Sequence, residues 1–158
     1  MNDYAVIVIG VGHAGIEAGL ACARLGVKTL MLTLDTDSIG RMSCNPAIGG
    51  VGKGQLVKDL DALGGAMGIA ADACGIQFRI LNSSRGAAVQ SSRAQIDMCK
   101  YGNFMRRLLK RQKNLKLRQA EALKLIVQDG KVAGVITDKG VLRAKCVVIC
   151  PGTFLEGR

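Results

Sequence analysis

A cysteine and two basic residues fall close together in a glycine-rich stretch of this sequence. Arg41 and Cys44 precede Lys53, which lies in the run SCNPAIGGVGKG, residues 43–54. Nearby cations and polar neighbours favour the nucleophilic thiolate form of a cysteine. Most free cysteines are instead small buried hydrophobic residues. Both interpretations are open at this point, with Cys44 as a candidate catalytic nucleophile and Lys53 as a candidate phosphate ligand.

The run is not a nucleoside-triphosphate loop. Ala47 stands where that motif requires its first glycine, and Gly54 replaces the serine or threonine that binds Mg²⁺. Three more polar residues are candidates for contacts with a substrate or its phosphates. Asn82 and Arg85 lie in a short polar segment, and Arg93 follows it.

A second stretch with chemical potential is a G-x-G-x-x-G run near the start of the chain. It lies between an apolar segment predicted as a strand, Tyr4 to Ile9, and an Ala-rich helical segment that stops at Gly26. In such a βαβ unit the glycines permit a tight turn, close approach of a pyrophosphate and close helix packing, and the helix N-terminus attracts phosphate. The pattern predicts a dinucleotide site made by Gly10, Val11, Gly12, His13, Ala14 and Gly15.

The position that normally contacts the ribose is unusual. An acidic residue is expected about 20 residues after the glycines, at the end of the second strand. Thr33 occupies that place and Asp35 follows two residues later. The ribose contact therefore falls to Thr33, to the backbone or to a displaced Asp35.

Charge and composition restrict the partners and the compartment. The chain of 158 residues has a formal net charge of +10, and eight of its cations lie between Lys100 and Arg118 with no acidic residue among them. This run is a candidate surface for a polyanion. The six cysteines form no C-x-x-C pair and the one histidine lies in the glycine run, so we expect reduced thiols in the cytoplasm and no metal site. No segment is long and apolar enough for a membrane span.

The hydrophobic pattern predicts an α/β fold. We expect strands at Tyr4–Ile9, Val27–Thr33, Leu115–Ala120 and Cys146–Cys150, the last fully buried, with Cys146 and Cys150 in the core. Residues 35–54 are predicted as a loop, residues 55–73 as a helix weakened at Gly64-Gly65, residues 76–81 as a strand and residues 90–113 as one long helix. A β-hairpin is predicted around Asp129-Gly130. Residues 35–113 thus form a loop and helix insertion, and residues 114–158 form the returning strands and a small antiparallel ribbon.

Several long blocks resemble the glucose-inhibited division protein A family of tRNA uridine 5-carboxymethylaminomethyl modification enzymes. They are the glycine run at 10–15, SCNPAIGGVGKG at 43–54, DALGG at 61–65, GIQFRILNSS at 75–84, RAQ at 93–95 and GTFL at 152–155. The resemblance covers essentially the whole chain. It departs from the family pattern at Val11 and at Arg85-Gly86-Ala87-Ala88-Val89, where the family has a third glycine and K-G-P-A-V.

The resemblance implies a glutathione-reductase-type, Rossmann-like FAD-binding domain. It implies that FAD has its ADP half on residues 10–15, with Ala122 near the adenine and Gly152 as a further contact, and that Cys44 is catalytic. It further implies NADH, methylene-tetrahydrofolate, a tRNA substrate, a GTPase partner and a homodimer. Family members run to several hundred residues, so this chain corresponds to an N-terminal portion.

Two other functions stay open. One is a non-catalytic module that binds a nucleotide or a tRNA backbone through residues 100–118. The other is a fragment of an unrelated FAD oxidoreductase.

Overall fold

The computed structural model describes residues 3–152 and divides the chain into two compact units. The first comprises Met1–Gly40 and Arg106–Arg158, and the second comprises Arg41–Met105. No helix among the described residues is long and apolar enough to cross a membrane. The GTFL block at 152–155 lies outside the described residues except for Gly152.

The first unit is built on a six-stranded sheet of order β6-β2-β1-β9-β8-β7. Its strands are β1 (Tyr4–Ile9), β2 (Thr29–Thr33), β6 (Leu115–Gln119), β7 (Ala122–Gln128), β8 (Lys131–Thr137) and β9 (Gly140–Ile149). The pairs β1/β2, β1/β9 and β2/β6 are parallel, whereas β7/β8 and β8/β9 are antiparallel. The fold is therefore α/β with a mainly parallel sheet, as predicted.

The helix α1 (His13–Arg24) connects β1 to β2 and packs on this sheet. It is followed by Gly26 in the left-handed region, at φ 81°. The parallel strands and the antiparallel strands share one apolar core, in which Ile7, Leu30 and Val135 are 0–1% exposed. Between β7 and β8 the turn residues Asp129 and Gly130 both have positive φ, which confirms the predicted hairpin.

Strand β9 changes partner along its length. Its first half pairs with β8, from Gly140 to Arg143, and its second half pairs with β1, from Ala144 to Ile149. This second half was predicted to be fully buried. That prediction is wrong, because none of residues 146–150 is buried. Cys146 is exposed and Cys150 is half-buried, so neither thiol lies in the core.

The second unit contains a three-stranded antiparallel sheet of order β3-β5-β4 and two helices. The strands are β3 (Ala47–Gly49), β4 (Gly75–Leu81) and β5 (Ser91–Ile96), and the helices are α2 (Lys53–Ala62) and α3 (Met67–Cys74). The helix predicted for residues 55–73 is divided at its weak point, Gly64-Gly65, because α2 ends at Ala62 and α3 begins at Met67. A fourth helix, α4 (Met98–Arg111), begins in this unit and ends in the first.

Two predictions fail in the second unit. Residues 91–96 form a strand rather than the first turns of a long helix, because β5 pairs with both β3 and β4 and buries Ser91, Ala94 and Ile96. The loop predicted for residues 35–54 contains β3 and the first residues of α2. In both cases long-range strand pairing overrides a local sequence preference.

Candidate functional site

The glycine run forms the turn between β1 and α1, at the carboxyl edge of the parallel strands. Gly10 has φ 103°, and its N–H donates to the carbonyl oxygen of Leu32 at 2.9 Å. A Cβ on Gly10 would collide with the carbonyl oxygen of Cys150, and a Cβ on Gly15 would collide with that of Gly10. The protein's own packing therefore requires Gly10 and Gly15.

Gly12 differs from both of these glycines. It is the exposed N-cap residue of α1, its φ is −70°, and an added Cβ would meet no protein atom within 4 Å. Neither backbone strain nor packing explains a glycine here. A group that approaches the backbone at the helix N-terminus would explain it, because a side chain would fill that space.

The remaining residues predicted for this turn are placed as follows. Val11 is buried, His13 is half-buried and Ala14 is exposed. Gly152 has φ 80° and lies two residues beyond Cys150, whose N–H donates to the Ile9 carbonyl oxygen at 2.8 Å. Gly152 thus follows closely on the residue that pairs with the carboxyl end of β1.

Thr33 is the last residue of β2, and Ala122 is the first residue of β7. The Thr33 hydroxyl donates to the Asp35 carbonyl oxygen at 2.8 Å and accepts from the Asp35 N–H at 3.2 Å. The Thr33 carbonyl oxygen accepts from the N–H of Ala120, two residues before Ala122. Asp35 is exposed, and one of its carboxylate oxygens accepts from the Asp37 N–H at 2.8 Å. Of the two side chains considered for the ribose, Thr33 is already hydrogen-bonded and Asp35 keeps a second oxygen in solvent.

The second unit carries a separate cluster of one thiol and two cations. Cys44 is exposed and its sulfur accepts from Asn45 Nδ2 at 3.3 Å. Although Lys53 as a whole is exposed, its ammonium lies against the chain and donates to the Ala47 carbonyl oxygen at 3.2 Å. Arg93 reaches the same region because its strand pairs with β3, with Arg93 opposite Gly49. We call Cys44, Lys53 and Arg93 the thiol–cation cluster.

The pKa of Lys53 depends on the charges of both other members of the cluster. Desolvation of the ammonium lowers the pKa of Lys53 below its ordinary value, and the positive charge of Arg93 lowers it further. Negative charge on Cys44 opposes both effects by raising the pKa of Lys53. The sequence placed Cys44 and Lys53 in one run but gave no sign that Arg93 would join them.

The glycines of the 43–54 run have structural explanations. Gly49 lies against the backbone of β5 and Gly54 against Ser91, so neither position has room for a Cβ. The Ser91 hydroxyl donates to the Gly50 carbonyl oxygen at 2.6 Å. Gly52 is the N-cap residue of α2 with φ 82°, and its N–H donates to Gln55 Oε1 at 2.9 Å. These contacts fix the backbone from which the Lys53 side chain extends.

Asn82 and Arg85 do not join the cluster through any described contact. The Asn82 amide donates to the Val89 carbonyl oxygen at 3.0 Å, and the Arg85 carbonyl oxygen accepts from Gln90 Nε2 at 2.9 Å. Asn82 thus closes its own loop, while the Arg85 side chain is exposed.

A cleft that the sequence did not indicate lies in the second unit. Its volume is about 490 Å³. Arg93 lines it together with apolar side chains from α2, α3 and β4, including Val57, Phe78 and Ile80. Phe78 and Ile80 are 59% and 61% exposed, which is unusual for large apolar residues. Cys44 is not among the lining residues. Arg93 therefore contributes to both the cleft and the thiol–cation cluster.

The parallel sheet and the glycine turn at its carboxyl edge define a dinucleotide-binding class of α/β protein. The model of the family described as glucose inhibited division protein A matches residues 5–158, and the chain belongs to that family. It is 56% identical over 158 residues to the tRNA uridine 5-carboxymethylaminomethyl modification enzyme MnmG of Caldicellulosiruptor saccharolyticus, covering 99% of this chain and 25% of that enzyme.

Two solved structures share the fold of this chain. GidA of Aquifex aeolicus superposes with a TM-score of 0.93 at 52% identity, covering 98% of this chain and 26% of that one. PqsL of Pseudomonas aeruginosa, described as a probable FAD-dependent monooxygenase, shares the fold with a TM-score of 0.64 at 15% identity, covering 94% of this chain and 42% of that one. The chain spans about a quarter of the length of the curated relatives that it matches.

Proposed function

We propose that this chain is the FAD-binding part of a flavoenzyme that installs the carboxymethylaminomethyl-type group at C5 of the wobble uridine of tRNA. Family membership and the names of the similar enzymes support the tRNA reaction. One structural observation carries the cofactor assignment. Gly12 is the glycine in the turn that the protein's own packing does not require, and it lies at the N-terminus of α1.

The residues of the first unit fit a dinucleotide. The backbone of Gly10 to Gly15 and the N-terminus of α1 would hold the pyrophosphate. Asp35 would bind the ribose through its second carboxylate oxygen, because the Thr33 hydroxyl is already hydrogen-bonded. Gly152 and the backbone at Ala122 would provide further contacts with the cofactor. Bound FAD would supply the hydride and electron transfer of the reaction.

The thiol–cation cluster would act on the pyrimidine. In our proposal the Cys44 thiolate adds to C6 of the uracil ring, forming a carbon–sulfur bond. The electron pair of the C5–C6 double bond moves toward the C4 carbonyl oxygen, and C5 becomes nucleophilic. Once C5 has gained its substituent and lost its proton, the carbon–sulfur bond breaks and the thiolate returns. Lys53 and Arg93 would stabilise the negative charge or bind an adjacent phosphate. Assistance to the transfer of a methylene carbon is the alternative role for Cys44.

The co-substrates and partners are extensions of the same proposal. They are NADH as reductant, methylene-tetrahydrofolate as carbon donor, a GTPase partner subunit and a second copy of the enzyme in a homodimer. All six cysteines lie among the described residues and are free thiols, which supports a location in the cytoplasm. In sequence order the chain would be the N-terminal portion of the FAD-binding domain, with residues 35–113 inserted and residues 114–158 returning to the sheet.

The test combines two measurements on the protein as its gene encodes it. The purified protein should show the visible absorbance of a flavin, and cells that lack the gene should lose the wobble-uridine modification. Cys44→Ser should fail to restore the modification while keeping the flavin. Cys99→Ser, which also changes an exposed cysteine, should restore it fully.

Two results would overturn the proposal. A purified protein without flavin absorbance would remove the cofactor assignment. Full modification by Cys44→Ser would remove the catalytic role of the thiol and favour the non-catalytic binding module.

A further inference from the structure

One face of α4 carries exposed cations in helical register. Arg107, Lys110 and Arg111 are exposed and lie three and four residues apart, so they share one side of the helix. Tyr101, Met105 and Leu109 are buried on the other side, each at 0–1% exposure. Lys113 adds a fourth exposed cation in the turn that follows the helix. We call Arg107, Lys110, Arg111 and Lys113 the α4 basic face.

Only some of the cations between residues 100 and 118 belong to the α4 basic face. Lys100 belongs to the second unit, and Lys116 and Arg118 lie on strand β6 rather than on the helix. Arg106 is left out of this face because it forms an ion pair with Asp37 at 3.4 Å. Among residues 3–152, no member of the α4 basic face takes part in an ion pair. The nearest acidic residues along the chain are Asp97 and Glu121, so nothing in the intervening sequence neutralises this face.

A structural role explains only part of this charge. Lys110 and Arg111 lie in the last turn of α4, where cations stabilise a helix through its dipole. Arg107 lies before that turn and Lys113 lies after the helix. A solvated helix face normally mixes both signs, whereas this one carries a single sign over about two turns.

We propose that the α4 basic face binds the sugar-phosphate backbone of the tRNA substrate. This inference rests on the proposed function and adds the surface through which the substrate is held. Arginine forks suit phosphate oxygens, and the lysines act as point charges. The exposed face carries no aromatic side chain, so base stacking is absent and the contact is independent of sequence. It positions the tRNA, while recognition of the wobble base is left to other residues.

The experiment measures tRNA affinity as a function of salt. Binding of the encoded protein to tRNA is followed between about 50 and 200 mM salt, for the wild type and for the triple variant Arg107→Gln, Lys110→Gln, Arg111→Gln. Each lost phosphate contact should reduce the slope of log K against log salt by about 0.7 to 0.9, so three contacts should reduce it by about 2 to 3. The affinity at the lowest salt should fall by one to several powers of ten.

Two control variants and one further readout separate charge position from net charge and from folding. The variant Lys124→Gln, Lys131→Gln, Lys145→Gln removes the same charge from exposed positions elsewhere in the first unit, and its slope should match the wild type. The variant Arg107→Lys, Lys110→Arg, Arg111→Lys keeps the charge and should retain most of the slope. Flavin absorbance of every variant reports whether the fold is intact.

The outcomes distinguish this inference from the proposed function. Equal slopes for the triple variant and its charge-matched control would overturn the α4 basic face while leaving the enzyme assignment in place. Binding of anionic lipid vesicles that depends on the same three residues, with tRNA binding unchanged, would also overturn it in favour of a membrane surface. A wild-type protein that carries no flavin and modifies no uridine would refute the proposed function, whatever the salt slope.

Discussion

The carbonyl oxygen of Cys150 occupies the space that a Cβ on Gly10 would need. The end of β9 is thereby fitted against the first glycine of the turn, and the Cys150 N–H donates to the carbonyl oxygen of the preceding Ile9 at 2.8 Å. The turn is therefore shaped from both ends of the described chain. Gly12 takes no part in this packing.

We expect substitutions at Gly10 and Gly12 to separate stability from cofactor affinity. Gly10→Ala should destabilise the fold by about 1–3 kcal/mol, because it introduces a clash at a residue with φ 103°. Gly12→Ala should cost less stability than Gly10→Ala, because it meets no protein atom and loses only an N-cap preference, but it should reduce the flavin bound per protein, because its methyl group fills the space at the helix N-terminus. Thermal unfolding and flavin absorbance of the two variants check this. Equal losses of stability in both variants would contradict it.

We expect the two neighbours of Lys53 to move its titration in opposite directions. Arg93→Met should raise the pKa of Lys53 toward 10.5, because a repelling cation is removed. Cys44→Ser should lower that pKa further, because the negative charge that favours the ammonium is lost. Competitive acetylation across a pH series measures the pKa of Lys53 in each variant. Acetylation of Lys58 in the same sample serves as the internal reference for the amount of reagent. An unchanged Lys53 pKa in both variants would show that the members of the thiol–cation cluster do not interact.

The lowered pKa of Lys53 also determines whether the free energy of unfolding rises or falls with pH. The folded state disfavours the ammonium, so the penalty is largest at pH values below the folded pKa of Lys53. The free energy of unfolding should rise with pH up to about 10.5, and Lys53→Met should remove this contribution. Urea unfolding of wild type and variant over a pH series provides the measurement. An unchanged pH dependence would contradict the prediction.

We expect Cys146, which lies in β9, and Cys150, which follows it, to differ in reactivity. Burial raises the pKa of the Cys150 thiol above 9.0, whereas Cys146 is exposed. Iodoacetamide at mildly alkaline pH should therefore alkylate Cys146 at least about tenfold faster than Cys150. Peptide mass spectrometry over time gives both rates in one sample, and similar rates would show that Cys150 is not protected. Because the fold disfavours the Cys150 thiolate, its contribution to stability should decline as the pH rises above about 9.

We expect Asp97 to stabilise the start of α4. Its Oδ1 accepts from the Lys100 N–H at 3.0 Å, which is the hydrogen bond of an N-cap residue. Asp97→Ala should therefore lower the free energy of unfolding by about 1 kcal/mol, whereas Asp97→Asn should retain most of it. Urea unfolding of the two variants provides the comparison. Equal stability of the alanine and asparagine variants would show that the cap contributes nothing.

The local part of this fold was predictable from the sequence. The unit β1-α1-β2 and the hairpin at Asp129-Gly130 are each determined by residues close together in the chain, through glycine positions and apolar runs. Strand β5 was not predictable in this way. Its sequence Ser-Ser-Arg-Ala-Gln-Ile favours no strand locally, and its conformation depends on pairing with β3 and β4.

The same distinction applies to the candidate site. Cys44, Lys53 and Arg93 were each identified as candidates from residue type and neighbours. Their association requires the pairing of β3 with β5, two segments more than 40 residues apart, which no local pattern encodes. The exposure of Cys146 was missed for a related reason, because an apolar run does not reveal whether both faces of a strand are covered.

The divided pairing of β9 has a consequence for synthesis on the ribosome. The partner that completes the glycine turn, Cys150, is translated about 140 residues after Gly10, which at 5–20 residues per second corresponds to roughly 7–28 s. During that interval β1 can pair with β2 but lacks its neighbour on the other side. Strand β1 therefore reaches its final pairing on both sides only after β9 has been translated.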